Sequence, residues 1–149
     1  MSDHHGNAPA GVAIRHGRQE DIEELIEFWR EAGENHGRPA DRSVLVEALL
    51  SRDPEALIVA ESDGIIVGTV IAGWDGWRAH LYRLAVAPDL RGRGVARLLM
   101  QHAEERLRVL GAPRFDAMVL SSNGTGAAAW AAMGYQPQDD WTRWVKPVS

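Results

Sequence analysis

A chain of 149 residues, 45% apolar and 25% charged, suffices for one domain with a sizeable core and is too short for two. It has no cysteine, which excludes disulfides, thiolate metal sites and a cysteine nucleophile; no apolar run reaches membrane-spanning length, and the N-terminus lacks a signal-peptide layout. The formal net charge of -5, with no extended basic stripe, argues against nucleic acid as a partner, and the expected compartment is the cytoplasm.

In chain order, residues 1–11 ("MSDHHGNAPAG") read as a flexible tail ahead of a single domain over residues 12–149. His4 and His5 in that tail are incidental, and no metal site is expected. "VAIR" predicts a first strand. "RQEDIEELIEFWREAG" predicts an amphipathic helix with Ile22, Leu25, Ile26 and Trp29 on its apolar face and acidic residues in its first turn. A second helix is expected over "RSVLVEALLSR", with Val44, Leu45, Ala48 and Leu49 as the buried stripe. The segment "ENHGRPAD" between them is turn-rich, either a solvated loop or the edge of a pocket.

"ALIVAESDGIIVGTVIAGW" predicts two strands joined at Asp63-Gly64, and a second Asp-Gly turn leads into a strand from His80 to Val86. A helix follows from Val95 to Leu110, its apolar stripe being Val95, Leu99, Ala103, Leu107 and Leu110, with Gly111 as the stop. "RFDAMVL" reads as another strand. "SSNGTGAAAWAAMGY" reads as a short helix capped near Ser122 or Asn123 and stopped by Gly134, and "YQPQDDWTRWVK" has weaker strand character. The order β-α-α-β-β-β-α-β-α-β describes a mixed α/β sheet with helices packed on it, without the strict alternation of a doubly wound nucleotide fold.

The chemistry concentrates in "DLRGRGVARLL", Asp89 to Leu99, between a strand halted by Pro88 and a helix. Glycines let the backbone bend and approach a ligand closely, free amides at a helix start attract anions, and Arg91 and Arg93 add charge beside them. The stretch is a phosphate cradle. A P-loop would need Gly-Lys-Ser/Thr where Gly94-Val95-Ala96 stands, and a dinucleotide fingerprint would need Gly or Ala at Arg97. Arg91-x-x-Gly94-x-Ala96 instead resembles the acetyl-CoA motif of the GNAT N-acetyltransferase superfamily. The resemblance runs from about Val12 to Lys146 through "IR…EDIEELIEFW", the Asp63-Gly64 hairpin, "LYRLAVAPDLRGRGVARLLMQHAEERLRVLG" and "N…AAMGY". The segment "GWDGWRAHLYRLAVAPDLRGRG" is similar to the ribosomal-protein-acetyltransferase-like branch.

The resemblance implies a GNAT fold of the α/β (mixed α+β) class: a central mixed, mostly antiparallel sheet, splayed between its fourth and fifth strands, with helices on both faces. It implies acetyl-CoA as co-substrate, its pyrophosphate on the amides of Arg91, Gly92, Arg93, Gly94, Val95, Ala96 and Arg97. The pantetheine arm would pair with the backbone of Leu84, Ala85 and Val86, and Asn123 would contact it or order the helix. The partner is an amine acceptor, small molecule or protein, with neither membrane nor nucleic acid involved and a homodimer left open.

His80 lies where some members carry a glutamate base, and an ordinary imidazole pKa of about 6.5 suits that task; a strand-edge histidine beside a turn is the equal alternative. Tyr82, on the same strand face, either lines the acceptor site or packs in the core. The late helix departs from the family pattern: Gly126, Ala129 and Trp130 stand where alanine, phenylalanine and the thiolate-protonating tyrosine are usual. An indole N–H can donate a hydrogen bond but releases no proton near neutral pH, which leaves Trp130 an apolar wall over the thioester. That departure keeps a second reading open, a CoA-binding sensor that has lost transfer. Trp74 and Trp77 are candidate acceptor-pocket walls or ordinary packing residues.

Overall fold

The computed structural model describes residues 9, 11–121 and 123–148, so His4, His5 and Ser122 lie outside the described residues. The chain groups into two compact units, one through Met118 and one from Val119, and each is described by itself.

In the first unit, strand β1 (Ala13–His16) leads into helix α1 (Ile22–Ala32) and helix α2 (Ser43–Arg52). Strands β2 (Leu57–Ser62), β3 (Ile65–Trp74) and β4 (Ala79–Val86) follow, then helix α3 (Val95–Val109) and strand β5 (Phe115–Ala117). The sheet runs β1-β2-β3-β4-β5, antiparallel through β4 and parallel between β4 and β5. Asp63 and Gly64 both take positive φ (53° and 77°), the tight turn whose twist matches a two-residue hairpin.

Helix α1 buries Ile22, Leu25 and Trp29 against the sheet, as its periodicity predicts. Helix α2 corrects the expectation. Val46 and Leu50 face inward, whereas Val44 and Leu45 are about half exposed (52% and 53%) and Ala48 is exposed. "SVLVEALLSR" is apolar around most of its circumference, so its periodicity defines no single face, and packing beside α1 selects the Val46–Leu50 edge. In α3, Val95, Leu99, Ala103 and Leu107 are buried, but Leu110 lies past the helix as its C-cap and is 42% exposed. Gly111 follows at φ 95°, the left-handed stop its position predicts.

The two sheet faces are told apart at one pair of neighbours. A Cβ on Gly68 would stand 3.0 Å from Leu99 Cδ1 and 3.1 Å from Val95 Cγ1, so α3 lies tight on that face. The adjacent Thr69 points the other way, where the Trp29 indole N–H of α1 donates to its hydroxyl at 2.9 Å. Helices α1 and α2 thus cover one face and α3 the other.

In the second unit, helix α4 spans Gly124–Ala132. Asn123 is its N-cap, accepting from the Gly126 N–H at 2.9 Å. A Cβ at position 126 would fall 2.4 Å from Asn123 Nδ2, so glycine there is what lets the cap close. Gly134 ends the helix at φ 96°, and the Trp130 and Tyr135 rings meet edge to face at 4.9 Å. Among the described residues, 135–148 form no strand, contrary to expectation. Pro137 offers no amide to a ladder, and Asp139-Asp140 disfavours extended pairing.

Candidate active site

Strand β4 carries the site, and it is not regular. Ile71 pairs with Tyr82 and Thr69 with Ala85, so Val70 alone faces both Arg83 and Leu84. The bulge is built on Arg83, whose φ of 52° is left-handed. That conformation costs a side-chain-bearing residue roughly 1–2 kcal/mol. It also breaks the alternation of faces. The Tyr82 ring lies over Gly73, where a Cβ would meet Cε2 at 3.3 Å, and Gly73 shares its face with Ile71, which packs against the α1–α2 core. Arg83 turns to that same side, stacking its guanidinium over the Trp29 ring at 5.5 Å.

The Arg83 guanidinium is almost fully buried, its side chain 3% exposed. It donates to the Glu34 carbonyl at 3.1 Å, to Asn35 Oδ1 at 2.9 Å and to both Asp41 oxygens, Oδ1 at 3.3 Å and Oδ2 in closer contact. Burial pushes the group down to about 10, the Arg38 charge adding to the fall and Glu34 opposing it. Direct contact with the Asp41 carboxylate works against that fall, and the side chain is a cation at neutral pH. Its own carbonyl accepts from the Thr69 hydroxyl at 2.8 Å, which closes a buried chain Trp29–Thr69–Arg83. Gly33 makes room for all this, because a Cβ there would sit 2.3 Å from Arg83 Nη1.

Beyond β4, a 3-10 turn (Pro88–Leu90) leads to Gly92 at φ 79° and Gly94 at φ 87°, the N-cap of α3. Nothing lies within 4 Å of a Cβ placed on either glycine, so the turn faces open space. The first helical hydrogen bond is Leu98 N–H to the Gly94 carbonyl, at 3.1 Å. The amides of Val95, Ala96 and Arg97 therefore precede the ladder and point out of the helix start, an arrangement suited to phosphate oxygens. The Arg91 side chain is committed within the protein. Its Nε donates to the Val86 carbonyl at 3.0 Å and its Nη2 to the Ala32 carbonyl at 3.1 Å, so its side chain ties the turn to α1. Arg93 instead lines a cavity of about 310 Å³ together with Leu90 and Val95.

Pairing of β4 with β5 ends at Leu81↔Ala117, although β4 continues to Val86. The edge of β4 along Tyr82–Val86 thus extends past its parallel partner, beside the predicted pantetheine-binding residues Leu84, Ala85 and Val86. His80 and Tyr82 come together, their rings 6.0 Å apart. His80 is partly buried and Tyr82 half exposed, which sets aside core packing for the tyrosine. Burial and the Asp75 charge push the Tyr82 phenol up. Trp77 is 71% exposed, with Arg78 over its ring. Asn123 and Trp130 belong to the second unit. Sequence reasoning missed Arg83, Asp41, Asn35 and Gly33. It also passed over Gly68, where a lone glycine inside a strand was a readable sign of close approach. Among the described residues no group of three or more His, Asp or Glu is placed to hold a metal, and no helix is long and apolar enough to cross a membrane.

The first unit thus combines a five-stranded mixed sheet, its parallel β4–β5 pairing ending at Leu81, with a glycine turn at the start of α3. Residues 20–135 match the model of the acetyltransferase (GNAT) family. An acetyltransferase of Yersinia pestis strain Pestoides F is 39% identical over 129 residues, which cover 86% of this chain and 90% of the relative. One from Pectobacterium atrosepticum is 37% identical over 129 residues, with coverages of 86% and 90%. Among solved structures, AAC(6')-Iy in complex with the bisubstrate analogue CoA-S-monomethyl-acetylneamine superposes with a TM-score of 0.72 at 20% identity, over 92% of this chain and 99% of that one. A Clostridium acetobutylicum protein solved with acetyl-CoA also reaches 0.72, at 15% identity, over 90% and 96%. The chain belongs to the GNAT family. It is an N-acetyltransferase.

Proposed function

We propose that this single-domain enzyme binds acetyl-CoA on the amides of residues 91–97 and passes the acetyl group directly to a primary amine in a ternary complex. The observation that carries the reading is the helix start at Gly94: a left-handed glycine facing open space, followed by the outward amides of Val95, Ala96 and Arg97. Direct transfer is favoured because the chain has no cysteine to form a thioester intermediate. The amine nitrogen attacks the thioester carbonyl carbon, the C–N bond forms, and the C–S bond breaks with its electron pair leaving on sulfur. His80, its ring 6.0 Å from that of Tyr82, takes the amine proton directly or through water. Tyr82 lines the acceptor side. Trp130 replaces the family's acid, and the thiolate, a good leaving group, collects its proton from water.

Titration with acetyl-CoA, combined with a free-thiol assay over spermidine, kanamycin, Nα-acetyl-lysine and a short peptide with a free N-terminus, tests this reading. Acetyl-CoA binding with amine-dependent CoA release and intersecting double-reciprocal plots is the expected result. Binding without release from any amine would favour the sensor reading, for which Trp130 is the specific motive. If His80 is the base, His80→Gln should lower turnover by about 10²-fold or more and flatten the acidic limb of the pH–rate profile. An unchanged profile would return His80 to a structural role.

A further inference from the structure

We infer that Arg83 is a positioning residue for acetyl transfer, latching the 33–41 loop to the β4 bulge through Asp41 so that both keep one fixed geometry. The inference rests on the acetyl-transfer reading above for its kinetic consequence, but not for its structural one. A non-glycine residue in the left-handed region persists only where its surroundings over-determine it. Here they do, because Glu34, Asn35 and Asp41 all accept from one planar guanidinium, and Gly33 leaves the space it fills.

The side chain is only 3% exposed, and its action is read through the elements it joins. Those elements are the C-terminal end of α1, the loop after it, and the strand position directly following Tyr82. A cavity of about 430 Å³ at the latch is bordered by Arg30, Asn35, Arg38, Asp41 and Arg83 itself. Within it Asp41 is shared by Arg83 and Arg38, and Arg30 pairs with Glu27 outside the lining. The Asp41 carboxylate thus joins the β4 guanidinium to Arg38 of its own loop. Arg91 reinforces the latch by reaching the Ala32 carbonyl from the cofactor turn. The end of α1 is therefore tied both to the bulge and to the turn that receives the phosphates.

Two variants separate the latch from simple strain. Arg83→Lys keeps the charge but presents a point donor that cannot fork across Asp41 and Asn35. Arg83→Gly relaxes the left-handed backbone and removes the latch entirely. Both are measured in the whole protein by amide hydrogen exchange of residues 34–42, by acetyl-CoA affinity, and by KM and kcat for whichever amine of the panel above releases CoA fastest. The expected result is loop exchange accelerated about tenfold or more, and KM for the amine raised about ten- to a hundredfold, with acetyl-CoA affinity within a few-fold of wild type. Loop exchange and KM unchanged in folded Arg83→Gly would overturn the proposal. A uniform loss of affinity for both substrates would overturn it as well, since that reports general loosening. Should wild type fail to bind acetyl-CoA, the functional reading falls, and loop exchange alone still decides whether the latch exists.

Discussion

The glycine turn over residues 88–97 and the bulge at Arg83 belong to one strand–turn–helix, but they are made by opposite means. The turn is made of backbone: two left-handed glycines, an uncapped helix start and open space around both. The bulge is made of side chains, with a buried cation held by groups 42 to 49 residues away in sequence. A backbone device can be remade with many side chains so long as φ is permitted. A side-chain device depends on partners that local sequence does not announce. The first should therefore fail in ligand binding when broken, the second in stability and in acceptor geometry.

The largest effect is expected at the side-chain device. Asp41→Ala leaves the Arg83 guanidinium buried without its carboxylate, and breaking a buried pair from one side costs about 3–5 kcal/mol. Asp41 is itself partly exposed (19%), which places the expectation near the low end, about 3 kcal/mol. In a chain of this size that lowers Tm by roughly 6–12 °C. A shift under about 2 °C by differential scanning calorimetry would mean that water replaces the carboxylate at little cost.

Gly94→Val attacks the backbone device. A β-branched residue resists φ 87° by roughly 1–2 kcal/mol or more, so the turn reshapes and the amides of residues 95–97 lose their common aim. No neighbour lies within 4 Å of the new Cβ, so the core is undisturbed. Acetyl-CoA affinity should fall by about 30- to 100-fold in a protein that still folds. Retained affinity in folded Gly94→Val would move the phosphate site elsewhere.

This division also explains what could be read from the chain beforehand. The turn was legible because glycine, proline and arginine at fixed offsets carry their meaning locally, and the Asp63-Gly64 hairpin for the same reason. Helix α3 was legible because its polar and apolar faces are distinct. Helix α2 was not, since "SVLVEALLSR" is apolar nearly all round and only α1 decides which edge is covered. Arg83 reads in sequence as an ordinary strand residue on an alternating pattern. Nothing nearby signals that the strand bulges there, or that Asp41 and Gly33 await the guanidinium. The lost final strand has a different cause: "YQPQDDWTRWVK" has only weak strand character, and its Pro137 and paired aspartates weigh against a ladder.

A milder side-chain joint lies at the start of the α1 segment. Arg15 holds the Asp21 carboxylate through contacts of 2.8 and 3.0 Å, and the Arg18 amide adds a further bond at 2.8 Å. Together they hold the Asp21 carboxyl below the usual carboxylate range, against the opposing effect of burial. A lowered folded-state pKa means that the unfolded chain binds the proton first. The stability this carboxylate contributes is thus complete above its unfolded pKa of about 3.9 and is lost as pH falls through the lower folded value. Asp21→Asn should make urea midpoints less dependent on pH below about 4 than in wild type. Parallel pH profiles in the two proteins would show that the Arg15 contact does not shift the Asp21 equilibrium.

The smallest effect, and the sharpest test of the comparison, comes from two arginines on the same turn. Arg93 lies at the cradle and contributes charge without shaping the backbone, so Arg93→Ala should weaken acetyl-CoA by only a few-fold, about 1 kcal/mol or less. Because the loss is Coulombic, it should shrink as ionic strength rises and the Debye length falls from about 10 Å at 0.1 M to about 3 Å at 1 M. Arg91 carries the same formal charge, but its guanidinium is spent on the Val86 and Ala32 carbonyls. Arg91→Ala removes those two tethers rather than a ligand contact, so its affinity loss should persist in high salt and be accompanied by a lower Tm. Isothermal titration at low and high sodium chloride distinguishes the two cases. Equal salt dependence for both variants would mean that Arg91 also faces the phosphates, and the turn would then rely on side chains more than its glycines imply.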